Sequence, residues 1–118
     1  MDKPDLKIDY VELPAEDFAA VQKFYEEVFG WEFTSYGDDY CAFQDGKMNG
    51  GFYRSGQCST TSTDATLVVI YARELESTLA AVQKAGGRIC KEIISFPGGR
   101  RFQFLDPHGN ELAVWSDR

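Results

Sequence analysis

Polar and apolar positions along this chain change period in an order that occurs twice. From Lys7 to Leu13 they alternate, with Ile8, Tyr10 and Glu12 on one side and Val11 and Leu13 on the other, so a strand is expected there, stopped by Pro14. The spacing then becomes helical: Phe18, Val21, Phe24, Tyr25 and Val28 predict an amphipathic helix over Asp17–Phe29, with Asp17 as its N-cap and Gly30 closing it. Short strands follow at Trp31–Tyr36, Tyr40–Phe43 and Gly51–Arg54, separated by the reversals Gly37-Asp38-Asp39 and Asp45-Gly46. The polar run Ser55–Asp64 (SGQCSTTSTD) reads as a linker.

After it the order repeats. Thr66–Tyr71 is an apolar strand, and Leu75, Leu79 and Val82 mark the buried side of a helix over Glu74–Ala85, ended by Gly86-Gly87. Arg88–Ile94 and Arg100–Leu105 are expected strands around Pro97-Gly98-Gly99. The run Asp106–Asn110 (DPHGN) then forces a turn into a last strand, Glu111–Trp115. The repeat aligns Phe18 with Leu75, Tyr25 with Val82 and Gly30 with Gly87, and FQDGKMNGGFYR with FLDPHGNELAVW. One α+β domain of two β-α-β-β-β modules is therefore expected, residues 6–54 and 65–116, joined by the linker 55–64. Val11 and Leu13, Val68 and Ile70, and Leu112 and Val114 supply apolar faces for the helices. The opposite faces carry Tyr10 and Glu12, Leu67, Val69 and Tyr71, and Glu111, Ala113 and Trp115. That mixture suits a ligand-facing concavity or a subunit interface, and alternation does not separate the two.

Composition narrows the function classes. In 118 residues, nine Phe, six Tyr and two Trp are enough for a real core, so general disorder is excluded. A net charge of −7 argues against nucleic acid, which needs a basic face. Three cysteines, Cys41, Cys58 and Cys90, without C-x-x-C spacing suit neither a disulfide framework nor a zinc site, and point to a reducing cytoplasm. With no apolar N-terminal run and no apolar stretch of spanning length, neither secretion nor a membrane is expected.

The phrases YVELPAEDFAAVQKFYEEVFGWEF (Tyr10–Phe33) and GGRRFQFLDPHGNELAVW (Gly98–Trp115), with the paired modules, resemble the glyoxalase / bleomycin-resistance / extradiol dioxygenase superfamily, the vicinal oxygen chelate proteins. The resemblance implies mixed sheets forming a cup with helices on the convex side. It does not fix an activity, because the superfamily includes isomerases, lyases, dioxygenases, thiol transferases and antibiotic-sequestering proteins. Its catalytic members usually hold one divalent metal on the first and last strands of each module. Carried over by motif and by the repeat, those positions fall on Tyr10, Phe52, Leu67 and Ala113, of which only tyrosine has a donor atom, and a poor one. A one-residue slip, to Val11, Tyr53, Val68 and Leu112 or Val114, is no better. Glu12 and Glu111, two residues away, are the nearest carboxylates that could make a displaced site.

The remaining candidates are sparse. His108, the single histidine, lies in the DPHGN turn and reads as a turn residue; no nucleophile–histidine pair is evident. Cys41 and Cys90 read as small core residues. The glycine pairs match no phosphate loop and suffice as reversals. Of Arg100 and Arg101, one should face the concavity beside Gln103 and could hold a carboxylate or phosphate; a solvated hairpin base is the equal alternative. The expectation is a cytoplasmic homodimer that binds an unidentified small molecule by sequestration or sensing, with no metal and no cofactor. Tyr10, Phe52, Tyr71 and Trp115 would form an aromatic cup, and Glu12, Glu111 and Arg101 would fix polar groups. The alternatives are a metal-dependent lyase, isomerase or dioxygenase with displaced ligands, and an assembly module whose cup is filled by side chains.

Overall fold

The computed structural model describes residues 3–118. Eight strands and two helices follow in the expected order: β1 Tyr10–Ala15, α1 Phe18–Phe29, β2 Glu32–Ser35, β3 Tyr40–Gln44, β4 Asn49–Arg54, β5 Val68–Tyr71, α2 Leu75–Lys84, β6 Arg88–Phe96, β7 Gly99–Leu105 and β8 Glu111–Ser116. They form two four-stranded sheets, β1-β4-β3-β2 and β5-β8-β7-β6. In each, the first strand of the module runs parallel to the last and the other pairs are antiparallel.

Asp17 caps α1 as expected, accepting from the Ala20 amide at 3.1 Å, and Gly30 ends the helix in the left-handed region at φ 71°, where glycine has no steric penalty. Pro14 does not stop β1, which runs on to Ala15. The strand pairs only with β4, so it is an edge, the place in a sheet where a residue without an N–H is tolerated.

Each sheet buries one face. Leu13, Phe43 and Phe52 on the first and Phe102, Phe104, Leu112 and Val114 on the second belong to a single cluster with Val21, Phe24 and Tyr25 of α1 and Leu75 and Val82 of α2. Helix α1 serves both sheets: Tyr25 packs on Phe52 at 5.6 Å between ring centres, while Phe24 and Phe29 meet Phe104 at 5.8 and 6.0 Å. The helix-packed faces of both sheets therefore share one core, and the other face of each sheet, called outward below, lies on the side away from its helix-packed residues.

The DPHGN turn is the clamp of that arrangement. One oxygen of the buried Asp106 accepts from the amides of His108, Gly109 and Asn110, and the other accepts from the Tyr25 hydroxyl at 2.8 Å. Asn110 donates to the Pro14 carbonyl at 2.8 Å and accepts from the Ser59 amide at 2.9 Å. The turn is thus tied to α1, β1 and the linker, and the two phrases that carry the family likeness touch at Tyr25–Asp106. Burial raises the Asp106 pKa, and the hydrogen bonds it accepts pull it partly back.

Candidate functional site

The outward face of the first sheet is built by Tyr10 and Glu12 of β1, Tyr40 of β3 and Tyr53 of β4, all on the side opposite Leu13 and Phe52. The Tyr40 hydroxyl donates to Glu12 Oε2 at 2.9 Å; with its only proton committed, it accepts from the Tyr10 hydroxyl at 2.6 Å. Burial, then the bonds to Tyr10 and Glu12 and the Glu12 charge, push the Tyr40 phenol far up, so it is a neutral donor. Tyr40 pairs with Tyr53 across the sheet, and its ring lies diagonally over Gly51, the partner of Ala42, where a β-carbon would collide with the Tyr40 hydroxyl and ring. A recess of about 520 Å³ runs over this face past Tyr10, Tyr40 and Asn49.

The outward face of the second sheet carries Glu111, Ala113 and Trp115 on β8, opposite Leu105, Gln103 and Arg101 on β7 and beside Val69 and Tyr71 on β5. Glu111 is not open to a ligand. The linker, in a single 3₁₀ turn at Thr61–Thr63, lays Thr61 over it, and Glu111 Oε1 accepts from the Thr61 amide at 2.8 Å and hydroxyl at 2.7 Å. Its other oxygen accepts from the Gln103 amide. Burial raises the Glu111 pKa, but the Thr61 and Gln103 hydrogen bonds and the nearby Lys91 charge outweigh it, so the carboxyl lies below its ordinary range. Arg101 donates from Nη2 to Gln103 Oε1 at 2.8 Å. Trp115 is half-buried against Tyr71, edge to face at 5.2 Å.

Of the residues singled out from sequence, Tyr10 and Glu12 share one outward face, and Tyr71, Arg101, Glu111 and Trp115 share the other. Phe52 lines neither. It is fully buried, packed on Tyr25, Phe33 and Phe43 in the core, and its place on the outward face belongs to Gly51. Ala113 lies on the outward side, yet it too is fully buried, so the space beside it is already taken. Arg100 points the other way and pairs with Glu76 of α2 at 2.5 Å. Cys41 is buried as expected, whereas Cys90 is exposed with its sulfur 3.8 Å from Glu111 Oε2; burial and the Glu111 charge hold that thiol up, which opposes reactivity. His108 uses its ring Nε2 on the Gln57 carbonyl at 2.8 Å. Tyr40, Gly51 and Thr61 carry the local chemistry and were not singled out. The legible signal was Gly50-Gly51 inside a strand, where a missing side chain marks the close approach of another group.

A second cavity, about 580 Å³, lies at the seam between modules, with Leu13, Trp31 and Phe43 on one side and Val69, Tyr71 and Trp115 on the other.

The model of the Glyoxalase/Bleomycin resistance protein/Dioxygenase superfamily matches residues 7–114. The chain belongs to this superfamily. Similar solved structures include a lactoylglutathione lyase from Agrobacterium tumefaciens, at 20% identity over 97% of this chain and 96% of that one, TM-score 0.72. A genomically encoded fosfomycin resistance protein from Listeria monocytogenes has 13% identity over 93% and 92%, TM-score 0.77. A glyoxalase-related enzyme from Fulvimarina pelagi has 16% identity over 94% and 88%, TM-score 0.77. At these identities the likeness is one of fold. Comparison with curated protein sequences gives no match.

The strand register sharpens the superfamily's metal positions in this chain. Glu12 pairs with Gly51 as Val69 pairs with Ala113, so the four positions are Tyr10, Gly51, Leu67 and Ala113. Three have no side-chain donor, and the Tyr10 hydroxyl is spent on Tyr40. Among the described residues no group of three or more His, Cys, Asp or Glu side chains is placed to hold a metal ion. These residues do not fit the divalent metal of the catalytic members.

Proposed function

We propose that this superfamily member is a metal-independent small-molecule binding protein, acting by sequestration or sensing in the cytoplasm, with a site built from two copies of the chain. The observation that carries the reading is the donor set: Gly51, Leu67 and Ala113 stand where ligands would be needed, and a tyrosine ring fills the space a β4 ligand would occupy. The displaced two-carboxylate site finds no support, because Glu12 and Glu111 lie on opposite outward faces and both Glu111 oxygens already accept hydrogen bonds. A lyase or antibiotic-resistance role, as in the similar folds named above, stays the rival.

The second copy is supported by what one chain leaves open. Tyr10 and Tyr53 on the first outward face and Val69 and Tyr71 on the second are each 43–45% exposed, and the edges of β1, β2, β5 and β6 are unpaired. Two outward faces of different chemistry enclose a space only if a second chain brings its own; a twofold dimer would make two such spaces. That no helix among the described residues is long and apolar enough to cross a membrane accords with this placement. Elemental analysis of the purified protein tests the reading. Well under one divalent metal per chain, with ligand retention indifferent to a chelator, is expected; one tightly held metal per chain whose removal abolishes activity would overturn it.

A further inference from the structure

Arg101 is held in place without being neutralised. A guanidinium offers five N–H donors in a planar fork, and one of them, on Nη2, goes to Gln103 Oε1 at 2.8 Å. Gln103 is fixed in turn, since its amide nitrogen donates to Glu111 and Glu111 is pinned by Thr61. The chain Thr61–Glu111–Gln103–Arg101 therefore orients the guanidinium through a neutral amide. Among the described residues Arg101 makes no salt bridge, although Arg100 beside it pairs with Glu76. Its remaining donors have no protein acceptor among those residues. It is half-buried, and its strand neighbours are Trp115 on β8 and Ile94 on β6. A cation so placed, with spare donors beside an indole, lacks only an anion.

We infer that Arg101 is the anchor of a subsite for an oxyanion, a carboxylate or phosphonate, carried on a planar apolar body that lies against Trp115. This rests on the small-molecule reading above and names its ligand class. Gln103, Glu111 and Thr61 are positioning residues, since they reach the ligand only through Arg101.

Calorimetric titration with benzoate and phenylphosphonate tests this, with benzamide as the neutral analogue and sedimentation run in parallel. Both oxyanions should bind at least about tenfold tighter than benzamide, the order expected of hydrogen bonds to a charged group. Arg101→Gln should abolish the difference, Arg101→Lys should keep part of it, and Arg100→Gln should leave it unchanged. Glu111→Gln should weaken both oxyanions while thermal melting confirms a folded chain. Equal binding of benzamide, oxyanion binding that survives Arg101→Gln, or no oxyanion binding at all would overturn the inference. So would a fall to one-chain mass in Arg101→Gln with no oxyanion binding in the wild type, which would assign the guanidinium to a carboxylate of a second copy. A retained neutral molecule would sink the subsite but leave the small-molecule reading. One metal per chain would sink that reading without touching Arg101.

Discussion

The two outward faces are the same three-dimensional phrase with different words. In both modules the last strand lies between the first and the third, and equivalent positions point outward. On the first face the polar groups Tyr10, Tyr40 and Glu12 are bound to one another, Tyr10 and Glu12 exposed and Tyr40 half-buried. On the second the carboxylate Glu111 is covered by the linker and spent on Thr61 and Gln103, so the polar group left over is the cation Arg101. The linker makes the difference: it follows the first module and crosses the second. A duplicated fold can thus supply one acidic, hydroxyl-rich wall and one cationic, indole-lined wall from a single backbone plan.

The contrast predicts graded costs. Leu112, fully buried on the helix-packed side of β8, should lose about 2–5 kcal/mol on truncation to Ala, read by denaturant unfolding. If Leu112→Ala proves silent, the faces are assigned backwards. Next, Glu111→Ala strands the Thr61 amide and the Gln103 side chain, and should cost about 1–3 kcal/mol.

Acidity should separate two buried carboxylates by sign. The folded-state pKa of Glu111 is depressed, so its contribution is present above the ordinary carboxylate range and lost as pH falls through the depressed value. That of Asp106 is raised, so the folded state favours its protonated form, and its burial penalty sets in as pH climbs through the raised value. Stability–pH curves of Glu111→Gln and Asp106→Asn, each against wild type, should therefore differ in opposite directions. Curves that shift the same way would mean that one network is misread.

The smallest effect belongs to the first face. Tyr40→Phe and Gly51→Ala both undo the Tyr10–Tyr40–Glu12 chain, the second by pushing the ring aside. Each should cost under about 0.5 kcal/mol because these groups meet water. A loss as large as that of Glu111→Ala would show that the first face is structural rather than a wall of the site.

Most of the fold was legible because period-two and helical runs sit between strong punctuators, and Asp17 and Gly30 did as their chemistry predicts. Phe52 was misplaced for a definite reason. Four residues separate β3 from β4, whereas five separate β7 from β8, so a repeat aligned on the strand before the turn is one residue out after it. In a strand one residue exchanges the faces. Pro14 was misread because an edge position is a property of the sheet, which local sequence does not state. The covering of Glu111 by Thr61 was beyond reach for the same kind of reason: a polar linker carries no periodicity to say where it lies.

Native mass spectrometry of the gently purified protein tests the central claim most directly, since it weighs chain number, metal and retained ligand together. The expected species has twice the 13.3 kDa chain mass, is free of divalent metal and carries an organic adduct. A single chain, or a species with one metal ion for each chain, would contradict it.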